Sequence, residues 1–240
     1  MVDAKGLNDR RCYRPLSPSE AVGGFLRRDG RTGEGGRFEG EFRIGRISTF
    51  AQQVSVDMGN WYTNITLRGP SQSGVVDFLN EHRISAYVSP TLGADTVIFD
   101  RDGDGDYRDP EIVAELAQAL SKSLNCHALA VSVFDDDALW FRLYFREESI
   151  AEYLSASGDL SGTVRLCSAF GRSALVPLVW ATLRVPRLLM LFESWRHLIL
   201  VTMLGLPVWA VALGYKYIDS GGVNDVHDDL HVQKTPHRGA

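Results

Sequence analysis

Eighteen consecutive uncharged residues, 198–215, constrain the fold of this chain more than any other feature of its sequence. An apolar run of this length is nearly long enough to cross a bilayer as a helix. Gly205 and Pro207 interrupt it near its centre, and a glycine followed by a proline is typical of a helix end. We therefore expect a buried helix, a turn and a buried strand within a soluble domain, while a membrane span over 198–215 stays open as the alternative.

The segments before this run are also apolar. The sequence predicts short helices at 163–170 and 174–183, and a longer helix that opens at Pro186 and continues to Leu204. Because this longer helix is apolar nearly all round, it has to be covered on most sides. We expect the cover to be the open face of a sheet or a partner subunit.

A different pattern marks the first half of the domain. Residues 61–68 alternate with a period of two, which is typical of a strand. Ser71 is a natural N-cap for a following helix, and Asp109 with Pro110 begins a second one. The order is β-α-β-β-α-β, followed by two hairpin-linked strands. Such units pack both helices on one face of an antiparallel sheet. The sequence thus predicts an α+β, ferredoxin-like sandwich with extra strands and a helical C-terminal cap.

The chain divides into segments of different composition. The first 57 residues hold nine of the 23 glycines and ten of the 25 Lys/Arg residues, with little apolar periodicity. Such a segment buries too little surface to offset its ordering entropy, so it is either disordered or a leader upstream of a native start at Met58. The predicted parts are a leader or disordered segment (1–57), a single α+β domain (58–218) with a sheet-rich half (58–155) and a helix-rich half (156–218), and a flexible tail (219–240).

Charge and cysteine content exclude several classes of protein. The net charge is −5, which argues against a dedicated nucleic-acid-binding protein, since that would need a basic face. Cys12, Cys126 and Cys167 are too few and too widely spaced for a disulfide scaffold or a zinc pair. The first residues lack the apolar stretch of a secretory signal, so we expect a cytoplasmic protein.

The segment 100–111 resembles the calcium-binding loop of an EF-hand or dockerin. Its candidate metal ligands share a carboxylate side chain: Asp100, Asp102, Asp104, Asp106 and Glu111. A hard cation prefers a ring of oxygen ligands on a tight turn, which Gly105 would supply. Tyr107 and Arg108 depart from the usual pattern, and the same residues also fit a solvated turn that precedes a helix. Calcium binding and a plain turn both remain open.

No nucleophile motif, phosphate-binding loop or dinucleotide fingerprint occurs in the sequence, so we assign no catalytic or cofactor-binding residue. We expect a protein-interaction or regulatory domain without catalysis, which contacts a protein partner or a second copy of itself. The apolar helix expected at 186–204 and the aromatic residues of the strands motivate this hypothesis. A calcium-binding protein using 100–111 and an enzyme with a dispersed site are the alternatives.

Six short segments carry a resemblance to a known family: MGNWYTN (58–64), LRGP (67–70), AYVSP (86–90), LW (139–140), LGLP (204–207) and GYKYI (214–218). They resemble a family of uncharacterised bacterial proteins whose members begin at the position of Met58. The resemblance covers most of 58–218 and excludes 1–57, which favours the late start. It implies no activity, because the family has no established function, and the aspartate-rich loop is not part of its pattern.

Overall fold

The computed structural model of this chain describes residues 61–104, 109–186, 189–190, 192–220 and 233–235. The strands are β1 (Tyr62–Arg68), β2 (Ala86–Val88), β3 (Asp95–Asp100), β4 (His127–Phe134), β5 (Ala138–Phe145), β6 (Glu148–Leu154) and β7 (Gln233–Lys234). The helices are α1 (Gln72–Glu81), α2 (Pro110–Ser123), α3 (Thr163–Ala169), α4 (Val176–Arg184), α5 (Glu193–Leu204), α6 (Val208–Val211) and α7 (Tyr215–Asp219), with a 3-10 turn at Ser173–Leu175. The predictions for 1–57, including a start at Met58, lie outside the described residues.

The strands form one sheet in the order β6-β5-β4-β1-β3-β2-β7, and every neighbouring pair is antiparallel. Strand β1 lies inside the sheet, where Ile65 is opposite Ile98 of β3 on one side and Ala130 of β4 on the other. Helix α1 connects β1 to β2, and α2 connects β3 to β4. The predicted α+β class is therefore confirmed.

Both long connecting helices begin where the sequence predicts. Ser71 Oγ accepts a hydrogen bond from the backbone N–H of Gly74 at 3.3 Å, which caps α1. The Asp109 carboxylate accepts one from the N–H of Glu111 at 2.9 Å, and Pro110 occupies the first turn of α2. Each cap satisfies a backbone donor that has no partner inside its helix.

One face of the sheet packs against α1 and α2. Side chains alternate along a strand, so Ile65 and Leu67 point to the same face and meet the apolar stripes of the two helices. This core is fully or almost fully buried; its members include Val75, Leu79, Ala86, Val88, Ile98, Val113, Ala117, Leu120, Ala128 and Ala130. Full burial of one such large aliphatic side chain contributes roughly 2 kcal/mol, so this layer supplies much of the stability of the fold.

The opposite face of the sheet is covered by α3 to α7, which we call the cap. Asn64 Nδ2 on β1 donates to the carbonyl of Val211 at 2.7 Å, and Tyr153 Oη on β6 donates to the carbonyl of Leu183 at 2.9 Å. The Arg68 guanidinium lies 4.6 Å from the ring centroid of Phe170 on the cap. The open face of the sheet is thus the cover expected for the C-terminal third of the chain.

Two expectations for the cap are wrong. Helix α5 begins at Glu193 rather than Pro186, because Phe192 has an extended backbone (φ −130°, ψ 127°). The segment after Gly205 forms the short helix α6 instead of a strand, because the N–H of Ala210 bonds the Pro207 carbonyl at 2.9 Å and closes a local turn. Gly205 ends α5 in a left-handed conformation (φ 73°), as the sequence predicts. None of the helices in the described ranges is both long and apolar enough to cross a membrane.

Part of the segment predicted as a flexible tail lies against the sheet. Strand β7 pairs with β2, where Lys234 is opposite Tyr87. Thr235 Oγ1 accepts a hydrogen bond from the N–H of Ala86 at 2.8 Å and donates to the carbonyl of Ile84 at 2.7 Å. Residues 221–232 and 236–240 lie outside the described part of the chain.

Candidate functional site

The aspartate-rich loop begins at the end of β3 with two buried carboxylates. Asp100 Oδ2 accepts a hydrogen bond from the N–H of Gly103 at 2.7 Å. Burial raises the pKa of Asp100 to about 6, and this desolvation outweighs the stabilising backbone hydrogen bonds. Asp104 is also buried, and its Oδ2 accepts the N–H of Lys216 at 2.8 Å, at the start of α7. The loop therefore binds the cap.

The closing residue of the predicted calcium loop has a partner on the sheet. Both carboxylate oxygens of Glu111 accept from the Arg142 guanidinium, at 2.9 and 3.1 Å, and Arg142 also bonds Glu152 at 2.7 Å. Asp102 is exposed.

Asp106 lies outside the described ranges. Within those ranges, no three His, Cys, Asp or Glu side chains gather as a metal site would require. Calcium binding by 100–111 stays a prediction, and titration calorimetry of the full chain with calcium is its test.

A buried histidine and tyrosine join α5 to β1. Tyr62 Oη and His197 Nδ1 lie 2.7 Å apart in a hydrogen bond, and both side chains are buried between the sheet and the cap. Burial lowers the pKa of His197 to about 3 and raises the pKa of Tyr62 well above its usual value, so both groups are neutral near pH 7. Because both are buried, the pair serves to attach the cap.

A buried ion pair lies at the junction of α4 and α5. Arg196 Nε donates to Glu193 Oε2 at 2.7 Å, and both side chains are almost fully buried. The other guanidinium nitrogens donate to the carbonyls of Thr182, Leu183 and Val185 at 2.7 to 2.9 Å. Arg196 thereby satisfies the carbonyl groups that the end of α4 leaves without helical partners. These contacts tie α5 to α4.

A cavity of about 320 Å³ lies beside this ion pair, between the β4–β5 turn, the segment after β6 and the end of α4. Its wall includes Asp137, Ser155 and Arg184 as well as the ion pair itself. Ser155 Oγ accepts the backbone N–H of Leu139 at 3.1 Å. The cavity is at the lower end of the range for ligand pockets, and its hydroxyl is a structural partner of the backbone.

The two cysteines in the described ranges are buried. Burial raises the pKa of the Cys126 thiol to about 11 and also raises that of Cys167. A thiol with a raised pKa holds little thiolate at neutral pH and is a poor nucleophile.

The cap presents apolar side chains to solvent on the sides of α3 and α4 that do not face the sheet. Val164 is 59% exposed, Leu178 53% and Trp180 40%. The guanidinium carbon of Arg184 lies 4.4 Å from the ring centroid of Trp180, and Arg165 is exposed next to Val164. We call these five residues the outer face of the cap.

This distribution of exposed apolar groups is one-sided. Of the seven large hydrophobic side chains that are most exposed in the described ranges, five belong to the cap segment, namely Val164, Leu178, Trp180, Leu189 and Val208. Only Trp61 (36%) and Ile112 (38%) lie in the sheet-rich half.

The charges are distributed just as unevenly. Residues 61–159 contain 17 Asp/Glu and seven Lys/Arg, a net charge of −10. Residues 160–218 contain a single acid, Glu193, which is buried, and six bases: Arg165, Arg172, Arg184, Arg187, Arg196 and Lys216. The cap segment is therefore basic, with a net charge of +5, although the whole chain is acidic.

The sequence patterns described above do not predict the outer face. The excess of basic over acidic residues in 160–218 is present in the sequence and indicates this segment. The exposure of Leu178 and Trp180 was not readable, because α4 is apolar on its buried side as well.

Comparisons of this chain with protein families, with characterised proteins and with solved structures gave no match. The resemblance to uncharacterised bacterial proteins and the cytoplasmic location stay predictions.

Proposed function

We propose that this chain is an interaction domain without catalytic activity, which contacts its partner through the outer face of the cap. The observation that carries the proposal is the exposure of Leu178 and Trp180 at the two edges of the solvent-facing side of α4, whose opposite side is buried through Val179 and Leu183. Exposed apolar surface can mark a contact site, and Trp and Arg are enriched where binding energy concentrates.

The buried polar side chains of the cap already have structural partners, which supports a role without catalysis. His197 is buried in its bond to Tyr62, and Arg196 is used to hold the end of α4. A general base has to lie within hydrogen-bond reach of a substrate, and a buried structural histidine does not meet that requirement.

We further infer a ferredoxin-like arrangement for β1 to β4 with α1 and α2. Its support is the strand order β4-β1-β3-β2 within the larger sheet, together with the position of α1 and α2 as the two connecting helices. Strands β5 and β6 extend the sheet at one edge, and β7 extends it at the other.

Site-specific photo-crosslinking tests the proposed function. A photoreactive amino acid replaces Leu178 in one full-length variant and Ile112 in another. Ile112 is a matched control because it is also an exposed aliphatic residue, but it lies on α2 in the sheet-rich half. In the cells that produce the protein, we expect the variant at position 178 to form crosslinked adducts with its partner and the variant at position 112 to form few. Equal or absent adducts at position 178 would overturn the outer face as a contact surface.

A further inference from the structure

We infer that the surface which the outer face of the cap contacts is an anionic lipid bilayer, to which the domain binds peripherally. This inference rests on the proposed function and adds the chemistry of the partner. Two features carry it: basic charge without carboxylates over residues 160–192, and exposed apolar side chains in the same segment.

The first feature is charge complementarity. Three arginines of the described cap are exposed, namely Arg165, Arg172 and Arg184, and the one acid of the segment, Glu193, is buried against Arg196. An approaching anionic surface would therefore meet positive charge without carboxylates between residues 160 and 192, whereas the exposed Asp219 at the end of α7 pairs with Lys234. Each Lys or Arg near such a surface contributes on the order of 1 kcal/mol to binding.

The second feature is the type of apolar residue. Trp180 with Arg184 stacked on its ring combines an apolar body with a cation, and Leu178 is a second exposed apolar residue on the same helix. Tryptophan is enriched at the boundary between headgroups and hydrocarbon, and arginine extends its charge into the headgroup layer while its stem lies on apolar surface. Helices that lie in the interface present this combination of Lys/Arg with Trp or Leu.

The charge of the sheet-rich half orients the domain. Its net charge of −10 would be repelled by an anionic surface, whereas the cap would be attracted. Helices α1 and α2 of the sheet-rich half pack on one face of the sheet, and the cap packs on the opposite face. Screening over a Debye length of about 8 Å weakens the repulsion of the more distant half.

A lipid surface fits these observations better than a protein partner. Protein interfaces pair charges of both signs for register and specificity, and hot-spot side chains insert into pockets. Residues 160–192 of the cap offer charge of one sign, and the exposed apolar residues of the cap are spread over α3, α4, Leu189 and α6. A broad anionic layer needs no matched groove.

Co-sedimentation of the full-length protein with vesicles tests the inference. One set of vesicles contains equal parts of phosphatidylglycerol and phosphatidylcholine, and the other contains phosphatidylcholine alone. We expect binding to the anionic vesicles that declines as salt is raised, and much weaker binding to the neutral ones. No preference for anionic vesicles would overturn the inference.

Matched variants locate the contact. Arg184→Gln should lower the partition coefficient about fivefold, the effect of one charge near the surface, and Arg184→Lys should restore it. Leu178→Asp should lower it about tenfold, because an inserted apolar side chain becomes an anion. Ile112→Asp and Lys122→Gln make the same kinds of change in the sheet-rich half and should leave binding within about twofold of the parent. Equal losses in the two sets would overturn the assignment to the cap.

Two further readings separate this inference from the proposed function. Thermal unfolding shows whether each variant is folded, and all variants retain 1–57, so any contribution of that basic segment cancels in the comparison. Protein adducts at position 178 without vesicle binding would overturn the lipid partner and keep the interaction domain. Absence of any adduct at position 178 together with absence of vesicle binding would overturn both.

Discussion

The two faces of the central strand β1 are held by different kinds of interaction. Towards α1 and α2 the strand presents Ile65 and Leu67, which pack in an apolar core. Towards the cap it presents Tyr62, Asn64 and Thr66, and hydrogen bonds connect the first two to α5 and to the segment around α6. Burial of apolar area is non-directional, whereas hydrogen bonds fix a geometry. The position of the cap on β1 therefore depends on a few specific atoms.

Buried polar atoms without a partner among the described residues lie on both sides of the sheet: Thr63 Oγ1 and Ser132 Oγ face α1 and α2, and a larger set faces the cap. Three buried polar atoms at this interface, Asn64 Oδ1, Thr66 Oγ1 and His197 Nε2, have no hydrogen-bond partner among the described residues. Each such atom costs about 1–3 kcal/mol relative to a satisfied one. We therefore expect the cap to open at a lower free energy than the core formed by α1 and α2.

The largest expected effect comes from the buried ion pair. Arg196→Met should lower the free energy of unfolding by about 3–5 kcal/mol, because Glu193 is left buried without its cation. Chemical denaturation measures the loss. The double variant Glu193→Leu with Arg196→Met should recover part of it, since the unpaired charge is gone. A single-variant loss below about 1 kcal/mol would contradict the structural role of Arg196.

Truncation in the apolar core should have a slightly smaller effect that extends through the whole domain. Leu120 is fully buried between α2 and the sheet, so Leu120→Ala should cost about 3 kcal/mol. Hydrogen exchange should accelerate in the core strands as well as in the cap. Ile112→Ala on the exposed side of α2 is the control, with an expected change under about 0.5 kcal/mol. Acceleration restricted to the cap would reverse the proposed difference between the two faces.

The pH dependence of stability should report on the cap side. The pKa of His197 is about 3 in the folded protein and 6.5 ordinarily, so below pH 6.5 the unfolded chain binds a proton that the folded chain refuses. The contribution of His197 to stability therefore decreases as the pH is lowered, by about 2 kcal/mol between about pH 6.5 and about pH 5.

Asp100 acts in the opposite direction in the same range. Its folded pKa of about 6 exceeds the ordinary 3.8, so the folded state binds the proton first and gains stability as pH falls through this window. His197→Gln should flatten the decline in stability and Asp100→Asn should steepen it. Unfolding curves at several pH values measure both slopes, and identical slopes in the two variants would refute this assignment.

The smallest expected effects separate satisfied from unsatisfied polar groups on β1. Asn64→Ala removes donors to the carbonyls of Val211 and Leu213 and should cost about 1–2 kcal/mol. Thr66→Val replaces a hydroxyl that has no partner in the described part of the chain by a methyl group of similar size and should be neutral or stabilising. A larger loss from Thr66→Val than from Asn64→Ala would show that the hydroxyl has a partner in solution.

Local patterns in the sequence predicted the elements that local interactions determine. The alternation at 61–68 gave β1, and the caps Ser71, Asp109 and Gly205 gave the limits of three helices. The start of α5 and the helix α6 were predicted wrongly. Their segments are apolar on every side, so no periodicity distinguishes helix, strand and loop.

The candidate sites depended on contacts that spacing along the chain does not encode. Asp104 bonds a backbone N–H 112 positions away, and Glu111 bonds Arg142 31 positions away. A loop with carboxylates at alternate positions gives no sign of either contact. Burial decided which carboxylates turn inward, and burial is a property of the whole fold.

Strand β7 has a consequence for the integrity of the sheet. An uncovered edge strand offers unpaired backbone groups to which a second chain can add, and the residues of β2 are buried and uncharged. Gln233 and Lys234 pair with that edge. At the opposite edge of the sheet, the charged residues Glu148 and Glu152 of β6 disfavour pairing with a second chain. A protein that ended before residue 233 would leave the edge of β2 unpaired, and we expect it to aggregate through β2.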